Sequence, residues 1–97
     1  MMEEMIVKPL RKSKAFQRKF ANFQINFGAV IRDLRIKANL SRTELARRAK
    51  FSLGTLTKIE QGRGNPLLGN TENLATALNL RLSRIFKMAQ DGGDEGD

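Results

Sequence analysis

An all-α fold follows from three observations on the sequence. No segment alternates apolar and polar residues at period two, and β-branched residues never cluster, so strands are not expected. From residue 27 onward, apolar residues instead recur at helical spacing, punctuated by helix start and stop signals. Five short helices with tight connections over residues 27–88 predict a compact domain, near the lower size limit for independent folding.

The elements follow in chain order. The opening "MMEEMIVKPLRKSK" has Pro9 as a punctuator and a basic run over positions 8–14, and is expected to stay mobile until something pins it. Next, "FQRKFANFQINF", residues 16–27, holds four of the six phenylalanines. At about 100° per residue, Phe16, Phe20, Phe23 and Phe27 fall within roughly 60° of one another, in phase with Val30, Ile31 and Leu34. Residues 1–26 are therefore set apart as a basic, Phe-rich amphipathic extension. Its stripe has three readings: packing on the body of its own domain, pairing with a second copy, or binding a membrane surface or a different protein. Lys14, Arg18 and Lys19 lie on the opposite face, within reach of phosphates. Asn22 and Asn26 leave room for a break, so continuity across residues 10–38 stays open.

"FGAVIRDLRIKA" places Phe27, Val30, Ile31 and Leu34 on one face of the first domain helix. "LSRTELARRAK" opens the second with Ser41 and Glu44, a capping box in which each side chain satisfies the other's free backbone amide. Leu45, Ala46 and Ala49 supply its buried face. Ser52 caps a third helix, residues 53–61, which buries Leu56 and Ile59 and is stopped by Gly62. "RGNP" reads as a loop, and Asn70 as the cap of a fourth helix with Leu74, Ala75 and Leu78 inward. A fifth helix around residues 82–88 buries Ile85 and Phe86. The last segment, "AQDGGDEGD", residues 89–97, is acidic and glycine-rich and is expected to be disordered.

Composition narrows the chemistry. The 97 residues contain no cysteine and no histidine. Disulfides, thiolate or histidine metal sites and Cys- or Ser–His nucleophiles are thereby excluded, and neither metal nor cofactor is expected. Enzyme activity is not expected either, because residues 27–88 carry only four carboxylates and no phosphate-cradling glycine loop. No apolar run approaches the roughly 20 residues of a membrane span, and a cytoplasmic location is the expectation. The net charge is +8 and the pI about 10.7. Residues 27–88 alone carry twelve basic and four acidic groups, whereas residues 89–97 carry four acidic groups and no basic one. The folded part is thus more basic than the total, which favours a polyanionic partner.

The second and third helices have the spacing of a helix-turn-helix: about eight residues, a turn of three or four, then nine more. In such a unit the second helix enters the major groove of DNA by its N-terminus. The run "LSRTELARRAKFSLGTLTKIEQGRGNP" resembles the helix-turn-helix of the phage repressor and Cro type, the xenobiotic-response-element-like family of bacterial transcriptional regulators. The matching features are Leu40-Ser41, Glu44-Leu45-Ala46, Ser52, Ile59-Glu60-x-Gly62 and Pro66. "FGAVIRDLR" and "ENLATALNL" extend the likeness over residues 27–88.

The resemblance implies a role for each matched position. Arg42 falls where the family commonly has a glutamine that grips a phosphate and braces the reading helix, and an arginine can serve that phosphate with a full charge. Leu53, Gly54, Thr55 and Lys58 fall at base-facing positions. Ser52 doubles as cap and phosphate ligand. Gln61, Arg63 and Asn65 fall in the loop that meets the DNA backbone, and Arg35 and Glu60 form the family's structural ion pair. Two departures stand out. Lys50 occupies a turn position that is often glycine, where a left-handed backbone would strain it, and Thr71 stands where an apolar residue is usual.

The implied function is sequence-specific DNA-binding transcriptional regulation by a homodimeric repressor on a two-fold operator. Two alternatives stand beside it. One is an antitoxin whose Phe16, Phe20 and Phe23 bind a protein partner while the domain autoregulates. The other is a basic protein that binds RNA or a membrane surface without sequence preference. The tip of the reading helix is unusual in every version, since Leu53 and Gly54 offer no hydrogen-bonding side chain.

Overall fold

A computed structural model of the chain describes residues 14–63 and 68–92. Within them the protein forms five helices: α1 (Lys14–Lys37), α2 (Arg42–Ala49), α3 (Leu53–Glu60), α4 (Leu68–Ala77) and α5 (Leu82–Gly92). No strand occurs among the described residues. The core is a single cluster built from Phe27 and Ile31 of α1, Leu45, Ala46 and Ala49 of α2, Leu56 and Ile59 of α3, Leu74 and Ala75 of α4, and Ile85 and Ala89 of α5. Every apolar face expected over residues 27–88 contributes to it.

The expected boundary at residues 26 and 27 lies inside α1, which runs unbroken through Asn22 and Asn26. An asparagine in a helix interior costs about 0.5 kcal/mol relative to alanine, and burial of the phenylalanine stripe outweighs that. Phe23 stacks on Phe27 with ring centroids 6.0 Å apart, and both rings lie 5.8 Å from Phe86 of α5. The stripe therefore packs on its own domain at Phe23 and Phe27. Phe23 is engaged there rather than offered to another protein, and the side chain of Phe16 lies outside the described residues.

Two further expectations are corrected. Helix α4 begins at Leu68, so Asn70 sits in its first turn and does not cap it. Helix α5 continues to Gly92, so residues 89–92 are helical and not part of an unstructured tail. Ala89 lies one turn beyond Ile85 on the same face and is fully buried, which extends the helix past the apolar residues that predicted it. Residues 93–97 and 1–13 lie outside the described residues.

Four helices end in the same way. A left-handed residue reverses the chain at Asn39, Lys50, Gly62 and Asn79. The next amide then donates back five residues: Leu40 to Arg35 O, Phe51 to Ala46 O, Arg63 to Lys58 O and Leu80 to Ala75 O. This is the Schellman ending, which satisfies carbonyls the helix leaves free. Leu40, Phe51 and Leu80 follow the reversal and pack against the core, which fixes the angle at which each new helix departs. Only one of the four reversal residues is a glycine.

Candidate nucleic-acid interface

The α2–turn–α3 unit is set by two caps and one reversal. Ser41 Oγ accepts from Glu44 N at 3.0 Å, and Ser41 N donates to Glu44 Oε1 at 2.9 Å. The Ser41 backbone and side-chain hydrogen bonds hold the Glu44 carboxyl below its ordinary value. At the turn, Lys50 adopts φ 65° and ψ 41°. Lysine thus accepts the strained left-handed geometry at this usual glycine position. Ser52 then caps α3, its Oγ accepting from Thr55 N at 3.1 Å.

Helix α3 buries Leu56, Ile59 and Glu60. At about 100° per residue, the opposite arc holds Leu53, Thr57, Gln61, Gly54 and Lys58, in that order. Leu53, Gly54 and Lys58 are exposed, and Leu53 is 47% exposed despite its size. A Cβ built on Gly54 would meet nothing nearer than Ser52 Oγ at 3.9 Å. Thr55, expected at a base-facing position, is half-buried, with its hydroxyl 2.9 Å from Ser52 Oγ. The threonine that shares the outer face is Thr57. A helical wheel drawn from Leu53 and Lys58 would have found it.

The far end of α3 is clamped. Arg35 donates through Nε to Glu60 Oε2 at 2.7 Å and through Nη2 to Oε1 at 3.2 Å, while its Nη1 donates to Leu40 O at 3.0 Å. Arg42 Nε donates to Glu60 Oε1 at 3.0 Å. The Glu60 side chain is 1% exposed but that of Arg42 is 46% exposed, which leaves the remaining Arg42 N–H groups accessible to an anion. Glu60 therefore ties α3 to both α1 and α2. Such a buried pair fixes orientation more than it adds net stability, because desolvation offsets most of the attraction.

Two glycines let backbones meet at the same end. A Cβ on Gly28 would collide with the carbonyl oxygen of Ile59 and lie 3.0 Å from that of Glu60. Gly62, with φ 75°, would place its Cβ 3.0 Å from Ile25. Gly28 was not singled out in the sequence, although a glycine inside an amphipathic helix is a signal for close approach. Among the loop residues, Gln61 Oε1 accepts from Arg63 Nε at 3.1 Å and from Nη2 at 2.7 Å, so the two exposed side chains are joined. Asn65 lies outside the described residues. No group of three or more potential metal ligands occurs among the described residues.

The model of a family described as helix-turn-helix domain matches residues 26–84. The chain belongs to the helix-turn-helix domain family. The matched span includes all of α2, the turn and α3, together with the α1 residues that clamp them.

Two solved structures share this fold. The restriction-modification controller protein C.AhdI from Aeromonas hydrophila is 31% identical, with a TM-score of 0.63 over 64% of this chain and 94% of that one. The clp gene regulator ClgR from Corynebacterium glutamicum is 23% identical, with a TM-score of 0.69 over 72% of this chain and 74% of that one, a likeness of fold. The search of curated proteins gives no match. No helix among the described residues is long and apolar enough to cross a membrane.

Proposed function

We propose that this helix-turn-helix protein is a sequence-specific DNA-binding transcriptional regulator, a repressor that binds as a homodimer to a two-fold operator. The observation that carries the reading is the outer face of α3. Leu53, Gly54, Thr57 and Lys58 form an accessible surface, while the opposite face and the C-terminal end are anchored in the core and by Glu60. A surface helix that served packing alone would have no need for an exposed leucine and glycine in its first turn. The structural relatives, a controller protein and a gene regulator, agree with this reading.

In the proposed complex the N-terminus of α3 enters the major groove. Leu53 meets a thymine methyl, Gly54 allows the backbone to come close, and Lys58 donates to a guanine edge. Ser52 and Arg42 serve phosphates on one side of the groove, and Gln61 and Arg63 on the other. Affinity draws on phosphate neutralisation, so log K falls with log[salt] at a slope of about −0.9 per phosphate contacted. One such face covers few base pairs, and two copies on half-sites about 10 base pairs apart, centre to centre, supply the missing specificity.

Selection of bound sequences from a random duplex library tests this. The expected product is a palindrome with half-sites one helical turn apart. Salt-sensitive binding with no enriched sequence would refute the regulator and favour a nonspecific polyanion binder.

A further inference from the structure

The side of α1 opposite the phenylalanine stripe is the one that meets the end of α3. Gly28 brings the α1 backbone against the Ile59 and Glu60 carbonyls, and one turn earlier the backbone of Ile25 lies against Gly62. At about 100° per residue, Lys14, Arg18, Ala21 and Ile25 fall within roughly 60° of one another, with Gly28 just beyond the edge of that arc. The line of contact therefore continues past the end of α3 as a face that carries exposed Lys14 and Arg18. Arg18 lies about 10 Å and Lys14 about 16 Å beyond Ile25 along the helix, at 1.5 Å per residue. Neither pairs with a carboxylate among the described residues. Lys19 is turned away from this face and lines the groove between α1 and α5, together with Asp91.

We propose that Lys14 and Arg18 bind DNA-backbone phosphates that run on from those met by Gln61 and Arg63, so that α1 is an arm of the interface as well as a support for α3. The inference rests on the DNA-binding reading above and extends it to a second element. Continuity favours it, because Gln61 and Arg63 are the exposed residues on either side of Gly62, where α1 passes. Charge favours it too. Each strand presents one phosphate per about 3.4 Å of axis, so a stretch of about 16 Å passes several of them. The arm is also stiff, since the same unbroken helix is clamped to α3 by Arg35 on Glu60 and by Gly28. A phosphate gripped at Arg18 would therefore help to fix where α3 lies. An anionic membrane is the competing partner, but an amphipathic helix binds one by its apolar face. Here Phe23 and Phe27 of that face are packed against Phe86.

Arg18→Gln and Lys19→Gln make the test, because two neighbours lose the same charge on different faces of one helix. Both residues are exposed and glutamine is as good a helix former, so the fold should survive, which circular dichroism checks. Affinity is titrated against salt on the selected operator and on a random duplex. Arg18→Gln is expected to flatten the slope of log K against log[salt] by about 0.9, and Lys14→Gln with Arg18→Gln by about 1.8, on both duplexes. The selected sequence should not change. Lys19→Gln should leave the slope as it is. In ethylation interference, the double variant should lose phosphates adjoining those that Arg63→Gln loses. An unchanged slope in the double variant overturns the proposal, and so does equal flattening by Lys19→Gln, which marks a diffuse effect of charge. Weakened binding to anionic phospholipid vesicles with no change on either duplex assigns the face to a membrane and overturns it too. Flattening on the random duplex in a chain that selects no operator would refute the regulator and uphold the arm.

Discussion

Gly54→Ala separates the stability of α3 from its proposed contact with DNA. The residue lies in the first turn of α3, is exposed, and an added Cβ would meet only Ser52 Oγ at 3.9 Å. The free protein therefore has room for the methyl group. Replacing glycine by alanine inside a helix is worth 0.5–1 kcal/mol, and in a first turn about the lower figure. A domain of this size gains about 4–8 °C in Tm per kcal/mol, so a rise of about 2–4 °C is expected. In the complex the same methyl would occupy the space through which the backbone approaches the bases. One spoiled contact in a specific site costs about 1–3 kcal/mol, or roughly 5- to 150-fold in Kd. Thermal denaturation of the free protein and titration of the selected operator at fixed salt read the two effects. Unchanged Kd with a raised Tm would refute close approach at Gly54 and, with it, reading by shape at the tip. A lowered Tm would refute the open-space reading of the residue.

Four other substitutions and one titration follow from the geometry. Lys50→Gly relieves a left-handed backbone worth about 1–2 kcal/mol, offset by about 0.5–1 kcal/mol of unfolded-chain entropy, so denaturation should show a net gain. Asn39→Gly should gain less, since asparagine tolerates that region. Glu60→Ala leaves Arg35 buried without its partner and should cost about 3–5 kcal/mol in chemical denaturation; a loss below 1 kcal/mol would make the pair dispensable. Lys58→Ala should relax preference at one base position, read by repeating the selection, whereas uniform weakening across sequences would mark a phosphate contact. For Glu44, the folded carboxyl lies below its ordinary value of 4.5. Its stabilising contribution is complete above that value and is lost as pH falls through the lowered one, with a matching NMR titration midpoint for its side chain.

How much of this was legible in the sequence depends on what each residue does locally. Ser41, Glu44, Ser52 and Gly62 act on their immediate backbone, so α2 and α3 could be bounded from residue types alone. Thr55 and Thr57 could not be ranked by type, because they differ only in azimuth around α3, and the Thr55 hydroxyl is turned to the cap at Ser52. The continuity of α1 was hidden because weak local propensity at Asn22 and Asn26 is overruled by Phe86, some sixty residues away. The same long-range packing, through Ala89, carries α5 into a segment whose composition reads as tail. Gly28 carried a signal, but its partners are backbone carbonyls of α3, and no side-chain pattern points to them.

The two ends of α3 are built to different standards, and the difference bears on how it reads. The C-terminal end is fixed by Arg35 and Arg42 on Glu60, by Gly28 against the Ile59 and Glu60 carbonyls, and by Gly62 against Ile25. The N-terminal end has one serine cap. An eight-residue helix is about 12 Å long, so small rotations at the anchored end become displacements at Leu53 and Gly54. A tip rich in hydrogen-bonding groups could correct such displacements by pulling itself into register. This tip has few such groups, and methyl contact and close backbone approach fall off sharply with distance. In the proposed complex, discrimination would therefore rest on placement, and placement on the shared carboxylate. Arg42 spends only its Nε on Glu60, so in the proposed complex one side chain can hold a phosphate and the reading helix at once. Losing Glu60 would then blur sequence preference as well as lower stability, although Glu60 touches no base.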